Sequence, residues 1–487
     1  MAIEPAAAAT VARLSLDTLG TLPASIGRPA YDPRSVRIGV VHFGPGAFHR
    51  VHQADVLDRV LPHDPRWGIC AVSLHSHEVR DALSPQDGLY TLVELDAQIS
   101  YRVIGAIREC LIASVDAAKV RARLADPQLK LVTLTVTEKG YCLDGGGQLD
   151  FAHPDILHDL GRMESSSPRS VIGWLLQGLA DRQAAGLAAP VIASCDNLTA
   201  NGRKLRAAVL ALAGRRSPAL LDWIAAQVPF PGSMVDSITP ATDHALCERV
   251  RNTLAGVVDA WPVQRERFSQ WVLEDVPARA GLPDLARFGV QRTADVAPWE
   301  QAKLRLLNGA HSTLAWLGLL RGHVLVRDAM ADPQLADFVT ALMNEEIAPT
   351  LAAPPGLDLC AYAEAVRTRF RNPAIAHQLA QIAWDSSQKL PFRLLGTVRD
   401  RLAAALPITR LGEAIAGWLR FVEWRVRRSG EPLVDPLADH LSALVQKLNG
   451  EAAADVRRWL GLEAVFGTDL PRQPGFVAAL EAGYAAL

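Results

Sequence analysis

The stretch Val36-Arg37-Ile38-Gly39-Val40-Val41-His42-Phe43-Gly44-Pro45-Gly46-Ala47-Phe48-His49-Arg50 decides how the first half of this chain folds. Val36 to Phe43 is an apolar, β-branched run of buried-strand length, and a helical pattern follows Arg50 through Leu61. Between them stand two glycines. Strand, Gly-x-Gly turn and helix in that order predict a dinucleotide-type unit. The glycines allow a tight turn and close backbone approach, and the helix N-terminus faces a pyrophosphate. The third fingerprint position is His49 instead of Gly or Ala, so the match is partial and a purely structural turn stays open as the alternative.

Working outward, a second strand over 67–74 ends in Ser73-Leu74-His75-Ser76. A dinucleotide fold often places Asp or Glu there against the ribose hydroxyls, so NAD and NADP both stay open. Further strands are expected over 130–137 and 190–194, ending in Glu138-Lys139-Gly140-Tyr141-Cys142 and Cys195-Asp196-Asn197, with 234–238 as the last. Helices are expected over 170–184 and 203–228. Parallel sheets bind ligands at the carboxyl ends of their strands, which makes these polar ends candidate site residues.

From about residue 295 the strand patterns give way to helical ones. Asp332-Pro333 reads as an N-cap with proline at the first helical position. Amphipathic stretches follow over 357–370, 373–386, 411–428, 436–448, 453–463 and 475–486. The expected fold class is therefore α/β: a Rossmann-type cofactor domain over 1–294, then an all-α domain over 295–487.

Composition narrows the class. The 487 residues are 49% hydrophobic and 21% charged, with a formal net charge of -2. That describes a globular protein of two or three domains and gives no basis for nucleic-acid or membrane attraction. No apolar run approaches the roughly 20 residues that cross a bilayer. Glu4 and the absence of a basic segment before Ala6–Ala9 argue against a signal peptide. Six scattered cysteines without metal-site spacing predict reduced thiols, a cytoplasmic setting and no metal.

The helical half opens on Trp299-Glu300-Gln301-Ala302-Lys303-Leu304-Arg305-Leu306-Leu307-Asn308-Gly309-Ala310-His311. At about 100° per residue, Glu300, His311 and Asn308 fall about 60°, 80° and 140° from Lys303, within one wide arc. Only seven of the chain's 50 basic residues are lysine. Burial lowers the pKa of a lysine toward neutrality while arginine stays charged, which makes Lys303 a candidate general base. Each residue also has an ordinary reading. Lys303 could snorkel from a helix edge, Asn197 could cap a turn, and Asn308 and His311 could be satisfied within the packing. Gly309 suits close packing or the approach of a ligand.

Lys303-x4-Asn308-x2-His311 resembles the signature of the polyol-specific long-chain dehydrogenases, the mannitol dehydrogenase family. Gly44-x-Gly46-x-Phe48-His49-Arg50, Thr137-Glu138-Lys139-Gly140-Tyr141, Ser194-Cys195-Asp196-Asn197-Leu198, Met234-Val235-Asp236 and Ser387-Gln388-Lys389-Leu390-Pro391 resemble further family blocks. The resemblance implies a metal-independent oxidoreductase using NAD, with NADP not excluded. Lys303 would be the base, Asn197 and Asn308 would polarise the reacting oxygen, and His311 would hold substrate and orient Lys303. Glu300 would assist proton exit. Phe43, Gly44, Gly46, Ala47, Phe48 and His49 would form the cofactor turn, with Ser73, Glu138 and Lys139 beside it.

Asp236 and Lys389 would contact the substrate, as would Lys139 and Arg393. The blocks at 138–142 and 387–391 look closest to the fructuronate reductase branch, and a hexuronate carboxylate would reward cationic partners. The expected partner is a small sugar acid or polyol, turned over by a monomer or small homo-oligomer. Mannitol 2-dehydrogenase activity is the alternative. A non-catalytic dinucleotide-binding sensor is the alternative of another class.

Overall fold

The computed structural model describes residues 12–162, 167–428 and 430–487, so Glu4 and Ala6–Ala9 lie outside the described residues. The chain divides into two compact units, Met1–Val296 and Ala297–Leu487.

Among the described residues the first unit has eleven strands: β1 Ile38–Phe43, β2 Gly68–Ser73, β3 Tyr90–Leu95, β4 Ser100–Ile104, β5 Ile107–Ile112, β6 Leu131–Leu134, β7 Val191–Ser194, β8 Ser233–Asp236, β9 Val263–Glu266, β10 Gln270–Glu274 and β11 Val290–Thr293. Five of them form a parallel sheet in the order β5-β2-β1-β6-β7. Chain order reverses at β1, which pairs with β2 on one side and β6 on the other, the arrangement of a Rossmann-type sheet.

Its strands are covered on both faces, hence their unbroken apolar runs. Val41, Phe43, Val132, Leu134 and Ile192 pack on one side with Trp174 and Leu205. Val40, Leu131, Val191 and Ala193 pack on the other with Leu57 and Leu83. Alternate residues of each strand thus feed two cores.

Several expectations need correcting. The strand at 234–238 is not the last and is not in the parallel sheet, because β8 pairs antiparallel with β10 in a separate sheet ordered β11-β10-β8. A third sheet runs β4-β3-β9. Strand β9 hid behind its polarity: Val263-Gln264-Arg265-Glu266 is buried throughout because Arg265 pairs with Asp55 and Glu94 at 3.2 Å each. The helix expected over 203–228 is two, Asn201–Arg216 and Pro218–Gln227, parted where Ser217 accepts from the Leu220 amide and Pro218 opens a new helix. The helical pattern expected after Arg50 through Leu61 forms as Gln53–Val60, and a short further helix, Ala47–Val51, precedes it and meets it at His52.

The second unit is helical, and among the described residues no helix is long and apolar enough to cross a membrane. Its first helix, Ala297–Ala302, does not run on as a plain α-helix. Lys303–Gly309 is a π-helical segment, after which Ala310–Leu320 returns to α. Near its end the segment meets backbone from far along the chain: a β-carbon on Gly309 would lie 3.0 Å from the Arg393 carbonyl oxygen. Of the helix expected over 373–386 only Leu379–Ile382 and the start of Ser386–Leu390 form. Asn372 caps the Ala374 amide beside Pro373, and Asp385 takes a left-handed conformation at φ 52°.

Two long helices, Thr409–Arg427 and Pro474–Ala486, carry the core of this unit around Trp418, Trp459, Phe466 and Tyr484. They touch backbone to backbone, since a β-carbon on Gly412 would sit 2.7 Å from the Ala479 carbonyl oxygen. In an isolated helix Gly412→Ala would gain about 1 kcal/mol. Here the clash wins, and the expected outcome is a loss of about 1–3 kcal/mol on urea unfolding. Unchanged or increased stability would contradict this packing.

Candidate functional site

In the first unit the site is assembled at the carboxyl ends of β1, β6 and β7. Gly44 has φ 86°, and a β-carbon there would lie 2.2 Å from the Thr135 carbonyl oxygen. Only glycine fits. Thr135 Oγ1 donates to the Gly44 carbonyl oxygen at 2.7 Å, closing the contact from the other side. Gly46 is the N-cap of Ala47–Val51 and faces open space, with its own turn's Gly44 oxygen the nearest atom at 4.0 Å. One glycine is therefore needed for packing, while the second leaves room for a ligand at a helix N-terminus. That is a fit for a dinucleotide pyrophosphate.

His49, expected among the cofactor contacts, is fully buried beneath the turn and stacks on His42 at 3.3 Å between ring centroids. Its contribution is support. His42 Nδ1 lies 2.8 Å from Thr133 Oγ1, and Nε2 lies 2.9 Å from Thr135 Oγ1. Burial pulls His42 down to about 3 and holds His49 well below its ordinary value, aided by the repulsion of His42, so two neutral rings can stack. Phe48 stacks on His52 at 5.1 Å. Ser73 is buried at the end of β2, and its carbonyl accepts from the Ala113 amide at 2.8 Å.

Beyond β6 and β7, between the expected site residues Glu138, Lys139 and Asn197, stands a carboxylate to which the sequence alone gives no role. Asp196 accepts from the Val136 amide at 3.1 Å, the Thr137 amide at 2.8 Å and the Tyr141 hydroxyl at 2.6 Å. Burial pushes its carboxyl up, and these hydrogen bonds oppose that. Glu138 and Lys139 stand exposed in the turn Glu138–Tyr141, and Asn197 stands exposed after Asp196.

Asn201 was also missed. Its buried amide donates to the Ser233 carbonyl at 2.7 Å, accepts from the Ser233 amide at 3.0 Å and donates to the Asp196 carbonyl at 3.2 Å, tying the start of β8 to the chain just beyond β7. Asp236 lies buried three residues farther along β8.

In the second unit Lys303 opens the π segment and Asn308 nearly closes it, both half-buried, with Glu300 in the helix before. A π-turn closes i to i+5 instead of i to i+4, so each residue turns the chain less and Asn308 swings toward the Lys303 side. The purely α-helical angles expected from the sequence are corrected accordingly. His311 is buried, stacks on Phe370 at 4.9 Å and meets His377 edge-on at 4.9 Å.

Arg393 Nη1 donates to Ser312 Oγ at 2.8 Å, which fixes it beside this helix. Lys389 Nζ donates to the carbonyls of Ile382, at 3.2 Å, and Trp384. Burial, followed by the nearness of His377 and the charges of Arg393, Arg369 and Lys389, holds His311 neutral. The second unit thus gathers His311, Asn308, Arg393 and Lys389, and adds Arg369 and His377, which no spacing in the sequence pointed to.

The fold also joins Cys142, His153 and Asp155, whose ligand-type atoms lie within 4.8 Å of one another, a cluster that sequence spacing did not reveal. His153 Nδ1 there accepts from the Asp155 amide at 3.2 Å, and Asp155 heads the helix Pro154–Arg162, whose positive end disfavours a cation.

Two family models match the chain: the mannitol dehydrogenase Rossmann domain over residues 38–287 and the mannitol dehydrogenase C-terminal domain over 295–487. An uncharacterized oxidoreductase of Escherichia coli strain K12, YeiQ, is 43% identical over 469 residues, covering 95% of this chain and 94% of its own. D-mannonate oxidoreductase of the same organism is 41% identical over 468 residues, covering 94% and 95%. Among solved structures, Pseudomonas fluorescens mannitol 2-dehydrogenase in ternary complex with NAD and D-mannitol is similar with a TM-score of 0.83 and 38% identity, covering 98% of this chain and 96% of that one.

Burial, helped by the charge of Arg393, moves the Lys389 ammonium from its usual 10.5 down to about 8. Between those values the unfolded chain holds a proton that the folded chain has lost, so this group makes stability rise with pH across that interval. Urea unfolding of wild type and Lys389→Met at pH 7.5 and pH 10 should show wild type gaining relative to the variant at the higher pH. An unchanged difference would contradict a depressed Lys389.

Proposed function

Because the chain belongs to the mannitol dehydrogenase family, we propose that it is an NAD-dependent oxidoreductase interconverting a keto sugar acid and its alcohol, D-fructuronate and D-mannonate. The observation that carries the acid over a neutral polyol is the set of cations around His311: Arg393, Arg369 and Lys389, on the same unit as Lys303. A carboxylate rewards such a set through charge-assisted hydrogen bonds, whereas a sugar hydroxyl does not repay their desolvation. The similarity to D-mannonate oxidoreductase supports the same substrate. Mannitol 2-dehydrogenase activity is the second reading, favoured by the solved relative that holds D-mannitol.

The roles follow from what each side chain offers. The turn at Gly44–His49, with Phe43, Ser73, Glu138 and Lys139 beside it, would hold the dinucleotide. NAD is preferred, with NADP the alternative because β2 ends in Ser73 with no acidic residue. When bound there, its nicotinamide ring accepts or returns the hydride. Lys303, as an uncharged amine, takes up the alcohol proton, and Glu300 one turn earlier relays it outward. Asn197 and Asn308 donate amide N–H groups to the oxygen on which negative charge develops. A neutral His311 holds a substrate hydroxyl and orients the amine. Lys389 and Arg393, with Lys139, hold the carboxylate, and Asp236 accepts from a sugar hydroxyl. No metal is required in this scheme.

NADH oxidation with D-fructuronate and D-fructose, measured side by side, tests the substrate: fructuronate should turn over faster, and faster turnover of fructose would overturn the choice. NADH binding with no turnover of any hexuronate, ketose or polyol would favour the sensor reading. Lys303→Ala should lower kcat by about 10²–10⁴-fold, the usual worth of a general base, and leave NADH affinity nearly unchanged. Near-normal turnover in that variant would remove Lys303 from its role.

A further inference from the structure

Thr137 adopts φ 65° and ψ 165°, a backbone region that glycine enters freely and a β-branched residue avoids. Its side chain is exposed, so packing does not force it there. What holds it is hydrogen bonding. The Thr137 amide donates to Asp196 Oδ1 at 2.8 Å, and the Val136 amide donates to Asp196 Oδ2 at 3.1 Å. The Thr137 carbonyl accepts from the Gly140 amide at 3.0 Å.

The carboxylate is itself anchored. Oδ2 also accepts from the Tyr141 hydroxyl at 2.6 Å, that hydroxyl lies 2.5 Å from Ser194 Oγ, and the Asp196 amide donates to Ser194 Oγ at 3.3 Å. The residue is 9% exposed. The atoms just upstream of Thr137 are those that press on the glycine turn: a β-carbon on Gly44 would lie 2.2 Å from the Thr135 carbonyl oxygen and 3.2 Å from the Val136 nitrogen.

We propose that Asp196 is a positioning residue whose carboxylate pins the strained Val136-Thr137 turn and so fixes the wall against which the glycine turn is shaped for its dinucleotide. The role needs a carboxylate. Three donors converge on its two oxygens, and an amide at this position would turn an NH2 group toward at least one of them. The inference depends on reading the Gly44 turn as a dinucleotide site, and its experiment separates the two.

NADH binding is measured by fluorescence titration, alongside thermal melts, for wild type, Asp196→Asn and the double variant Asp196→Asn/Thr137→Gly. Losing a charged, buried hydrogen bond should raise the dissociation constant for NADH by about tenfold in Asp196→Asn. Glycine at 137 adopts the turn without being held, so the double variant should recover most of that affinity. A merely structural carboxylate would lower the melting temperature and leave the affinity of the folded protein unmoved. An Asp196→Asn affinity within twofold of wild type, or a double variant no better than the single one, overturns the proposal.

If Asp196→Asn does not fold, folding of the double variant supports the pin and its failure to fold refutes it. If wild type binds no NADH, the dinucleotide reading fails on its own. The pin is then judged by whether Thr137→Gly restores the melting temperature that Asp196→Asn loses.

Discussion

The contact on which the first unit depends is the approach of the Thr135 carbonyl to the α-carbon of Gly44. A β-carbon would have to sit 2.2 Å from that oxygen. The contact lies where the order of the parallel sheet reverses, between β1 and β6, the place where such sheets open a crevice. Everything nearby is arranged to keep it. His42 bridges Thr133 and Thr135, His49 stacks on His42 as a second neutral ring, and Asp196 holds the next two amides of the chain. The second unit repeats the device on its own scale. Gly309 lets the Arg393 carbonyl close against the helix that carries Lys303, Asn308 and His311, and the helix is π-wound along that stretch. In both units a missing side chain lets two backbones meet, and the polar groups are placed around the meeting point.

What could be read from the sequence follows from this physics. Strands β1, β2 and β7 and the helix Val171–Ala184 were legible to within a residue or two, because a sheet covered on both faces writes continuous apolar runs. Strand β9 was not, because its charges are satisfied by residues some 170 to 210 positions away, and pairing across the chain leaves no local pattern. The close approach at Gly309 was invisible for a similar reason, since the carbonyl that meets it comes from residue 393. Residues 373–386 carry a helical period, yet a cap at Asn372 and the left-handed Asp385 overrule it. Asp196 sat inside a motif that the sequence reading quoted, but its task depends on a positive φ at Thr137, and nothing in a threonine announces that.

The chemistry assigned to the chain is economical with charge. Buried histidines are kept neutral by desolvation, so at neutral pH His42 serves as a hydrogen-bonding group and His49 and His311 as stacking rings. Positive charge is instead concentrated on Arg393, Arg369 and Lys389 around His311, and burial with the charge of Arg393 brings Lys389 down to about 8. An anionic group placed there would relieve the repulsion between such charges, which is the physical basis on which a sugar acid is proposed over a polyol.

The most direct test of this account is a crystal structure of the protein with a nicotinamide dinucleotide and D-mannonate bound together. The account predicts the pyrophosphate at the Gly44–Gly46 turn, Lys303 Nζ within hydrogen-bond reach of the reacting hydroxyl, and the carboxylate against Arg393 and Lys389. A carboxylate directed into solvent, or a Lys303 amine remote from the reacting carbon, would contradict it.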